Sequence, residues 1–465
     1  MDDKSYDLVV IGSGPAGEKA AIEASKMRKS TAIIEKRSVQ GGVCIHTGTI
    51  PSKTLRETVL YISGLRQRSV YGLMGGVKPN VTVRELMYRK DQVIQEELDV
   101  IQQNMARHRI EVLQGLGSIV DAHTVRVEGD EGTREIKAEN IVISTGTRPF
   151  HPEDMDFDSK YIYDSETIID LDVLAKSLTI IGGGVIGCEY ACIFAHIGVA
   201  VTIVDSRERL LSFLDREIAD ALMYLMRKYR INLNLGDGPF SVNTENDQVV
   251  TVTKRGRKIV SDRLLYAAGR IGNTENLGLE NVGIETDKRG LIAVDDLYAT
   301  KVPNIYAVGD VIGFPSLASA SMDQGRLAAI HAFRRDDRSC INTLIPYGIY
   351  TIPEVSFIGE TEESLIEAGT PYSVGVARYF ELARGQIIND HDGLLKIVFD
   401  RESRRILGVH IVGDRATELV HIGQAVMTHG GTLDYFADTV LNYPTLAEAY
   451  KVAAMDGFSR LEQGM

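Results

Sequence analysis

The chain has 465 residues, 44% of them hydrophobic and 25% charged, and a formal net charge of −13. That is ordinary globular usage over a length sufficient for about three domains, and it excludes a chain dominated by disorder or coiled coil. The acidic balance argues against nucleic acid and anionic membrane as partners, so any anion must be held locally.

Four cysteines, Cys44, Cys188, Cys192 and Cys340, make neither a disulfide framework nor a zinc-type pair, and the histidines show no metal-ligand spacing; no metal is expected. The N-terminus is polar, without the basic and apolar regions of a signal peptide, so a reducing, cytoplasmic setting is expected.

The first element is the apolar run Tyr6 to Ile11, which suits a buried parallel strand. Gly12-Ser13-Gly14-Pro15-Ala16-Gly17 follows. Gly12 allows a tight turn, Gly14 a close approach of a diphosphate, and Gly17 close packing of helix on strand. A helix from Glu18 to Met27 leads to the strand Ser30 to Ile34, which ends in Glu35, a carboxylate suited to a ribose diol. Free amides at the helix start favour a diphosphate, so an acidic chain can still bind a dinucleotide. Thr82 to about His108 reads as a long amphipathic helix opened by a Thr82/Glu85 capping pair. Short strands are expected over Val112 to Val127 and Glu135 to Ser144, closing at Thr145-Gly146.

Ser177 to Val204 is apolar enough to mimic a membrane span. Three consecutive glycines and Glu189 break it, and a carboxylate is costly in lipid, so a buried strand–turn–helix–strand is expected instead. The turn is Gly182-Gly183-Gly184-Val185-Ile186-Gly187, and the second strand ends in Asp205. The spacing from first glycine to terminal acid is the same in both units, Gly12 to Glu35 and Gly182 to Asp205. One glycine fingerprint is weak, but two with equal spacing indicate two dinucleotide sites. Leu264 to Arg270, with Gly269, closes the second region. Asn304 to Asp310 ends in an acid suited to a hydroxyl chain, and a small-residue helix follows from about Ala318. From about Cys340 the pattern becomes α+β, with strands over Gly348 to Gly359, Gly393 to Phe399 and Ile406 to Val412, then helices near Thr417 to Thr428 and Leu446 to Leu461.

The segment Gly41-Gly42-Val43-Cys44-Ile45-His46-Thr47-Gly48-Thr49-Ile50-Pro51-Ser52-Lys53, with the paired turns, Gly309-Asp310 and Pro353-Glu354, resembles the flavoprotein disulfide reductase superfamily of glutathione reductase and dihydrolipoamide dehydrogenase. The resemblance covers essentially the whole chain. It implies an α/β fold of two Rossmann-like dinucleotide-binding domains, for FAD and NAD(P), plus a C-terminal α+β dimerisation domain. The expected divisions are 1–149 for FAD, 150–273 for NAD(P), 274–341 returning to the FAD domain, and 342–465 for dimerisation. Members carry a second redox cysteine where this chain has Thr49, and a His where it has Tyr443 in Tyr443-Pro444-Thr445-Leu446-Ala447-Glu448. Threonine makes no thiolate, and tyrosine is a poor acid–base group near pH 7.

Cys44 to Lys53 and Asn442 to Tyr450 are similar to the soluble pyridine nucleotide transhydrogenases within that superfamily. The resemblance implies reversible, ping-pong hydride transfer from NADPH to flavin N5 and then to NAD⁺, with Lys53 and Glu189 as a catalytic pair. It implies FAD contacts from Gly12, Gly14, Gly17, Glu35, Gly41, Gly42, Cys44, Thr49, Thr145, Gly146, Asp310, Leu317 and Ala318, with Tyr443 pointing toward the flavin of a partner subunit. Gly182, Gly184, Gly187, Asp205, Arg207, Arg209 and Gly269 fall to NAD and NADP. Arg207 and Arg209 admit two readings: arginines that swing onto a 2′-phosphate, or solvated loop residues. Cys44 and Glu448 are equally open between packing and a functional contact, and Cys188 and Cys192 read as buried helix thiols. A homodimer or higher homo-oligomer is expected. Rival functions are an NAD(P)H-dependent reductase of a quinone or other non-disulfide acceptor, and a redox-responsive protein that holds FAD without turnover.

Overall fold

The computed structural model describes residues 4–64, 82–130, 132–157, 160–334, 339–341 and 343–463. It comprises two units, Met1–Thr54 with Met87–Pro152 and Gly269–Asn342, and Leu55–Leu86 with Glu153–Ala268 and Thr343–Met465.

The first unit is built on a seven-stranded sheet. β1 (Ser5–Ile11) pairs in parallel with β2 (Thr31–Glu35), which pairs in parallel with β3 (Glu111–Gln114). On the far side of β1 lies β6 (Gly132–Ile143), also parallel, with β5 (Thr124–Gly129) and β4 (Leu116–Asp121) antiparallel beyond it. The strand Ile305–Ala307 joins β6 in parallel, so residues following Gly269 return to the sheet begun at Ser5. Leu8, Val9, Val10 and Ile11 are all buried, as a parallel strand covered on both faces requires. Each such side chain contributes roughly 1.5–3 kcal/mol by leaving water. The helix α1 (Pro15–Lys26) presents Ala16, Ala20, Ala21 and Ala24 to the core. This small face lets the helix Ala318–Phe333 pack closely, to the point that a Cβ on Gly325 would strike the Ala16 carbonyl. β7 (Thr147–Pro149) forms a two-stranded antiparallel ribbon with Arg270–Gly272.

The short helix α2 (Gly42–His46) and the helix α3 (Thr49–Ser63) follow β2. The helix Val83–Arg107 opens on the expected capping box: Thr82 N and Oγ1 donate to Glu85 Oε2 at 3.0 and 3.1 Å, and Glu85 N donates to Thr82 Oγ1 at 3.2 Å.

The second unit contains a five-stranded parallel sheet in the order Asn232–Leu235, Ala200–Asp205, Ser177–Ile181, Arg263–Tyr266, Ile162–Asp164. The helix Val185–His196 is apolar nearly all round and buried accordingly. Among the described residues no helix is long and apolar enough to cross a membrane. A second, antiparallel sheet runs Tyr347–Ile349, Glu354–Gly359, Ile406–Gly413, Leu394–Asp400, Tyr372–Arg378, with the helices Ala416–Thr428 and Glu448–Glu462 packed on it.

Two expectations for this region need correction. Gly348 to Gly359 is not one strand but two, broken at Tyr350–Pro353. Pro353 has no amide to give a ladder, and the Tyr350 amide leaves the sheet to bond a side chain. The strand Tyr372–Arg378 and the helix Glu362–Ala368 lie between the expected elements and were not foreseen. The helix is announced only by its Thr361/Ser364 capping box, and only Leu365 among its residues is buried.

Candidate functional site

Each unit carries the same turn, closed by the same device. In the first unit Gly12 has φ +103° and its Cβ would sit 2.5 Å from the Ser144 carbonyl oxygen, so no side chain fits. A Cβ on Gly17 would strike the Gly12 carbonyl, which holds α1 against β1. At the end of β2, Glu35 Oε2 accepts Ser13 N at 3.1 Å and Ser13 Oγ at 2.5 Å, while Oε1 accepts Arg37 N at 2.8 Å. In the second unit Gly182 has φ +110° and its Cβ would meet the Ala267 carbonyl at 2.7 Å; a Cβ on Gly187 would strike the Gly182 carbonyl. Asp205 Oδ2 accepts Gly183 N at 2.5 Å and Oδ1 accepts Arg207 N at 2.8 Å. In both turns the acid binds the amide following the first glycine and the amide two residues past itself. A carboxylate has roughly four lone-pair sites, so Glu35, with three taken, can still accept from a ribose hydroxyl, whereas Asp205 has all four taken once the Arg207 guanidinium is counted and accepts one only when that side chain moves.

The central glycines are shaped by a different need. Gly14 and Gly184 have φ −66° and −81°, conformations open to any residue, yet a Cβ on Gly184 would meet nothing within 4 Å and one on Gly14 only the Gly42 Cα at 4.0 Å. Neither glycine is demanded by the protein's own backbone. Space kept clear over a helix N-terminus is what a diphosphate requires.

The first unit also fits the rest of a flavin nucleotide. Gly41 and Gly42 have φ +111° and +61°, and a Cβ on Gly42 would sit 2.8 Å from the Gly14 Cα. The hydroxyls of Thr145 and of Thr47, a residue not foreseen, are buried without a hydrogen-bond partner. Buried polar atoms are rarely left so, and both await an acceptor or donor from a bound group. Gly146 has φ +67° with nothing within 4 Å of a Cβ. Burial raises the Asp310 carboxyl above its ordinary range, opposed by Arg270 and a hydrogen bond from Thr147. Thr147 Oγ1 donates to Asp310 Oδ2 at 3.2 Å, and Arg270 grips Thr147 through Nε to Oγ1 at 2.8 Å and Nη2 to the carbonyl at 2.7 Å. Phe150 N donates to the Gly269 carbonyl at 3.1 Å, locking the same ribbon. Leu317 is the N-cap of the helix Ala318–Phe333 in extended conformation, so that helix begins at Ala318 with its first amides unclaimed by the helix itself.

Cys44 and Thr49 come together. Burial raises the Cys44 thiol, with the Thr49 hydroxyl as its hydrogen-bonding neighbour and Asp310 and Glu97 adding negative charge. A thiol held protonated, facing a hydroxyl, is a poor nucleophile. Lys53 stands one turn further along α3, its Nζ 3.3 Å from Ser52 Oγ.

In the second unit Arg207 folds back on Asp205, Nε to Oδ1 at 3.0 Å and Nη2 to Oδ2 at 2.6 Å, and holds that carboxyl below its usual range against the opposing effect of burial. Arg209 lies apart from them, 3.7 Å from Asp220. Glu189 is 4% exposed, and its Oε1 accepts the Tyr350 amide at 2.8 Å. Burial raises both the Cys188 and Cys192 thiols, which fits inert helix cysteines. Tyr443 is 74% exposed, and Glu448 Oε2 accepts Thr445 N at 3.5 Å. Among the described residues no group of three His, Cys, Asp or Glu side chains is placed to hold a metal.

Sequence reasoning missed several contributors besides Thr47. Ser144 Oγ donates to the Gly12 carbonyl at 2.8 Å, and Gln324 accepts Gly309 N at 2.8 Å. The Tyr350 amide reaches Glu189 from 161 residues away. None carries a local signal; only the Pro353-Glu354 pair was visible as a motif.

Two acid-latched glycine turns, one in each unit, define a two-dinucleotide oxidoreductase. The chain belongs to the pyridine nucleotide-disulphide oxidoreductases: the family model matches residues 6–325 and the model of the dimerisation domain matches 345–454. Its full-length relatives narrow this to soluble pyridine nucleotide transhydrogenases. That of Mycobacterium tuberculosis (strain ATCC 25177 / H37Ra) is 48% identical over 461 residues, covering 98% of each chain. That of Hahella chejuensis is 46% identical over 466 residues, covering 99% of this chain and 100% of the other. Among solved structures, the HOCl-induced flavoprotein disulfide reductase RclA from Escherichia coli superposes with a TM-score of 0.88 at 28% identity, covering 97% of this chain and 99% of the other. LpdA from Mycobacterium tuberculosis gives 0.90 at 25% identity with the same coverage.

Proposed function

We propose that this chain is an FAD-dependent transhydrogenase that moves hydride between NADPH and NAD⁺. The observation that carries the reading is the pair of acid-latched turns, one in each unit, on a chain whose thiol machinery is disabled at Thr49 and Tyr443. FAD, when bound, supplies the hydride-accepting and hydride-donating chemistry.

The protein supplies binding and electrostatics. Gly12, Gly14 and Gly17 with the start of α1 take the FAD diphosphate, Glu35 the adenosine ribose, and Asp310 the hydroxyl chain. The Gly182–Gly187 turn takes the nicotinamide nucleotides in succession: NADPH enters, NADP⁺ leaves, and NAD⁺ occupies the same place. Lys53 provides positive charge where negative charge develops, and Glu189 steers the nicotinamide ring. The exchange of nucleotides depends on tolerance at Asp205 and Arg207. A homodimer is part of this reading, supported by the matched dimerisation domain and by Tyr443 and Val440, 74% and 91% exposed. A reducing, cytoplasmic setting accords with four free thiols.

Stopped-flow absorbance tests the reading. Enzyme bleached with NADPH is mixed with NAD⁺, a quinone or glutathione disulfide. Reoxidation by NAD⁺ within the turnover time is the expected result. Fast reoxidation by quinone alone would move the assignment to a quinone reductase, and by the disulfide alone to a disulfide reductase.

A further inference from the structure

Glu189 is buried on a helix and does not hold its orientation alone. Its Oε1 accepts the Tyr350 amide at 2.8 Å, and Tyr350 begins the turn that joins the paired strands Tyr347–Ile349 and Glu354–Gly359. The next residue, Thr351, is fully buried, and its carbonyl accepts Arg56 Nε at 3.0 Å. Arg56 is 4% exposed and uses every edge of its guanidinium: Nη1 donates to Glu57 at 2.5 Å, and Nη2 lies 3.2 Å from Glu354 Oε1. The other oxygen of Glu354 accepts Thr417 N at 3.1 Å and Thr417 Oγ1 at 2.8 Å. Residues 350–354 are thus gripped at both ends, by Arg56 through Thr351 and Glu354, and by Thr417 behind Glu354. The Ile352 amide between them faces the Cys192 thiol, one turn beyond Glu189 on the same helix.

We infer that Arg56 and Glu354 are positioning residues for nicotinamide: their buried ion pair clamps the 350–354 turn so that the Tyr350 amide fixes the Glu189 carboxylate. The inference rests on the role of Glu189 proposed above. Only a guanidinium can serve a carbonyl and two carboxylates in one plane, so lysine is a poor replacement. A shift of about 1 Å in a positioning group can cost on the order of 100-fold in rate.

The test compares Arg56→Ala, Arg56→Lys and Glu354→Gln with the parent holoenzyme. The affinities of NADP⁺ and of 2′,5′-ADP, which lacks the nicotinamide half, are measured by calorimetry, and flavin bleaching by saturating NADPH is measured by stopped flow. The expected result is unchanged 2′,5′-ADP affinity, a lower ratio of NADP⁺ to 2′,5′-ADP affinity, and bleaching slowed about 10–100-fold, with lysine restoring only part. If Arg56→Ala does not fold, Glu354→Gln carries the comparison. Variants that retain the parent affinity ratio and bleaching rate overturn the inference, as do variants that lose 2′,5′-ADP affinity by the same factor as they lose rate. A parent enzyme that bleaches with NADPH but does not pass hydride to NAD⁺ overturns the transhydrogenase reading and leaves this comparison intact.

Discussion

Arg207 lies bidentate on Asp205, at 3.0 and 2.6 Å, in the place where the ribose of a nicotinamide nucleotide is proposed to bind. The guanidinium is about half exposed and the carboxylate nearly buried, so the arginine is the partner able to leave. With Arg207 in place the acid is neutralised toward an approaching 2′-phosphate; with Arg207 swung away, onto that phosphate, the charge is met directly.

Arg207→Ala therefore separates the two substrates. Loss of one charge-assisted contact is expected to lower kcat/KM for NADPH about 10–100-fold while NADH changes less than about 3-fold. Steady-state kinetics with each nucleotide decides; an equal loss for both removes the role. Asp205 is held below the ordinary carboxylate range, so it stays ionised throughout the neutral range in which the two nucleotides are compared.

The open space over the central glycines yields a second prediction. Gly184→Ala meets no protein atom within 4 Å and needs no unusual φ, so the fold and flavin content should be unchanged. If a diphosphate occupies that space, KM for both nicotinamide nucleotides rises about tenfold or more, equivalent to at least ~1.4 kcal/mol. Gly14→Ala should instead yield folded protein without FAD, with the thermal stability of the parent stripped of its flavin. A Gly184→Ala enzyme with parent KM values would place the diphosphate elsewhere.

Lys396 is completely buried, with Nζ 3.0 and 3.1 Å from the two oxygens of Asp215, 3.3 Å from Glu217 and in direct contact with Glu362. Asp215 also caps the helix Arg216–Lys228. Lys396→Met strands a buried carboxylate, and a loss of about 3–5 kcal/mol is expected in chemical denaturation. Combining it with Asp215→Asn should recover part of that loss; strict additivity of the two would show that the pair is not coupled.

His410 gives a pH dependence. Its Nε2 meets the Glu360 carbonyl at 2.8 Å, its Nδ1 is buried without a partner, and Asp215, Lys396 and Glu363 are the charges about it. Burial holds the imidazole below its ordinary value, so the folded chain keeps it neutral where the unfolded chain takes up a proton. Its contribution is complete above about pH 6.5 and is lost as pH falls below that, by up to ~1.4 kcal/mol per unit. His410→Gln should flatten the fall in denaturation midpoint between about pH 6.5 and 5 relative to the parent; identical slopes would assign the pH dependence to other groups.

The legible parts of this protein are those whose physics is local. The two turns could be read because a tight turn, a close helix and a terminal acid each demand a particular residue at fixed spacing, and the Thr82/Glu85 cap because it is one helical turn long. The break at Tyr350–Pro353 was hidden because the apolar alternation continues across it; the chain reverses there so that the two halves pair with each other, and the Tyr350 amide bonds Glu189, 161 residues earlier. Arg56 was invisible for the same reason, since its carbonyl partner lies 295 residues on. Lys396 sits in an apolar strand where a charge would ordinarily mark a solvent face, and only the tertiary structure brings Asp215 and Glu362 to meet it.

The most direct test of hydride transfer between two nucleotides at one site is steady-state transfer from NADPH to thio-NAD⁺ by the purified yellow protein, with both concentrations varied. Parallel double-reciprocal lines are predicted, since NADP⁺ must leave before the acceptor enters. Intersecting lines, or no transfer by protein that NADPH readily bleaches, would contradict the account.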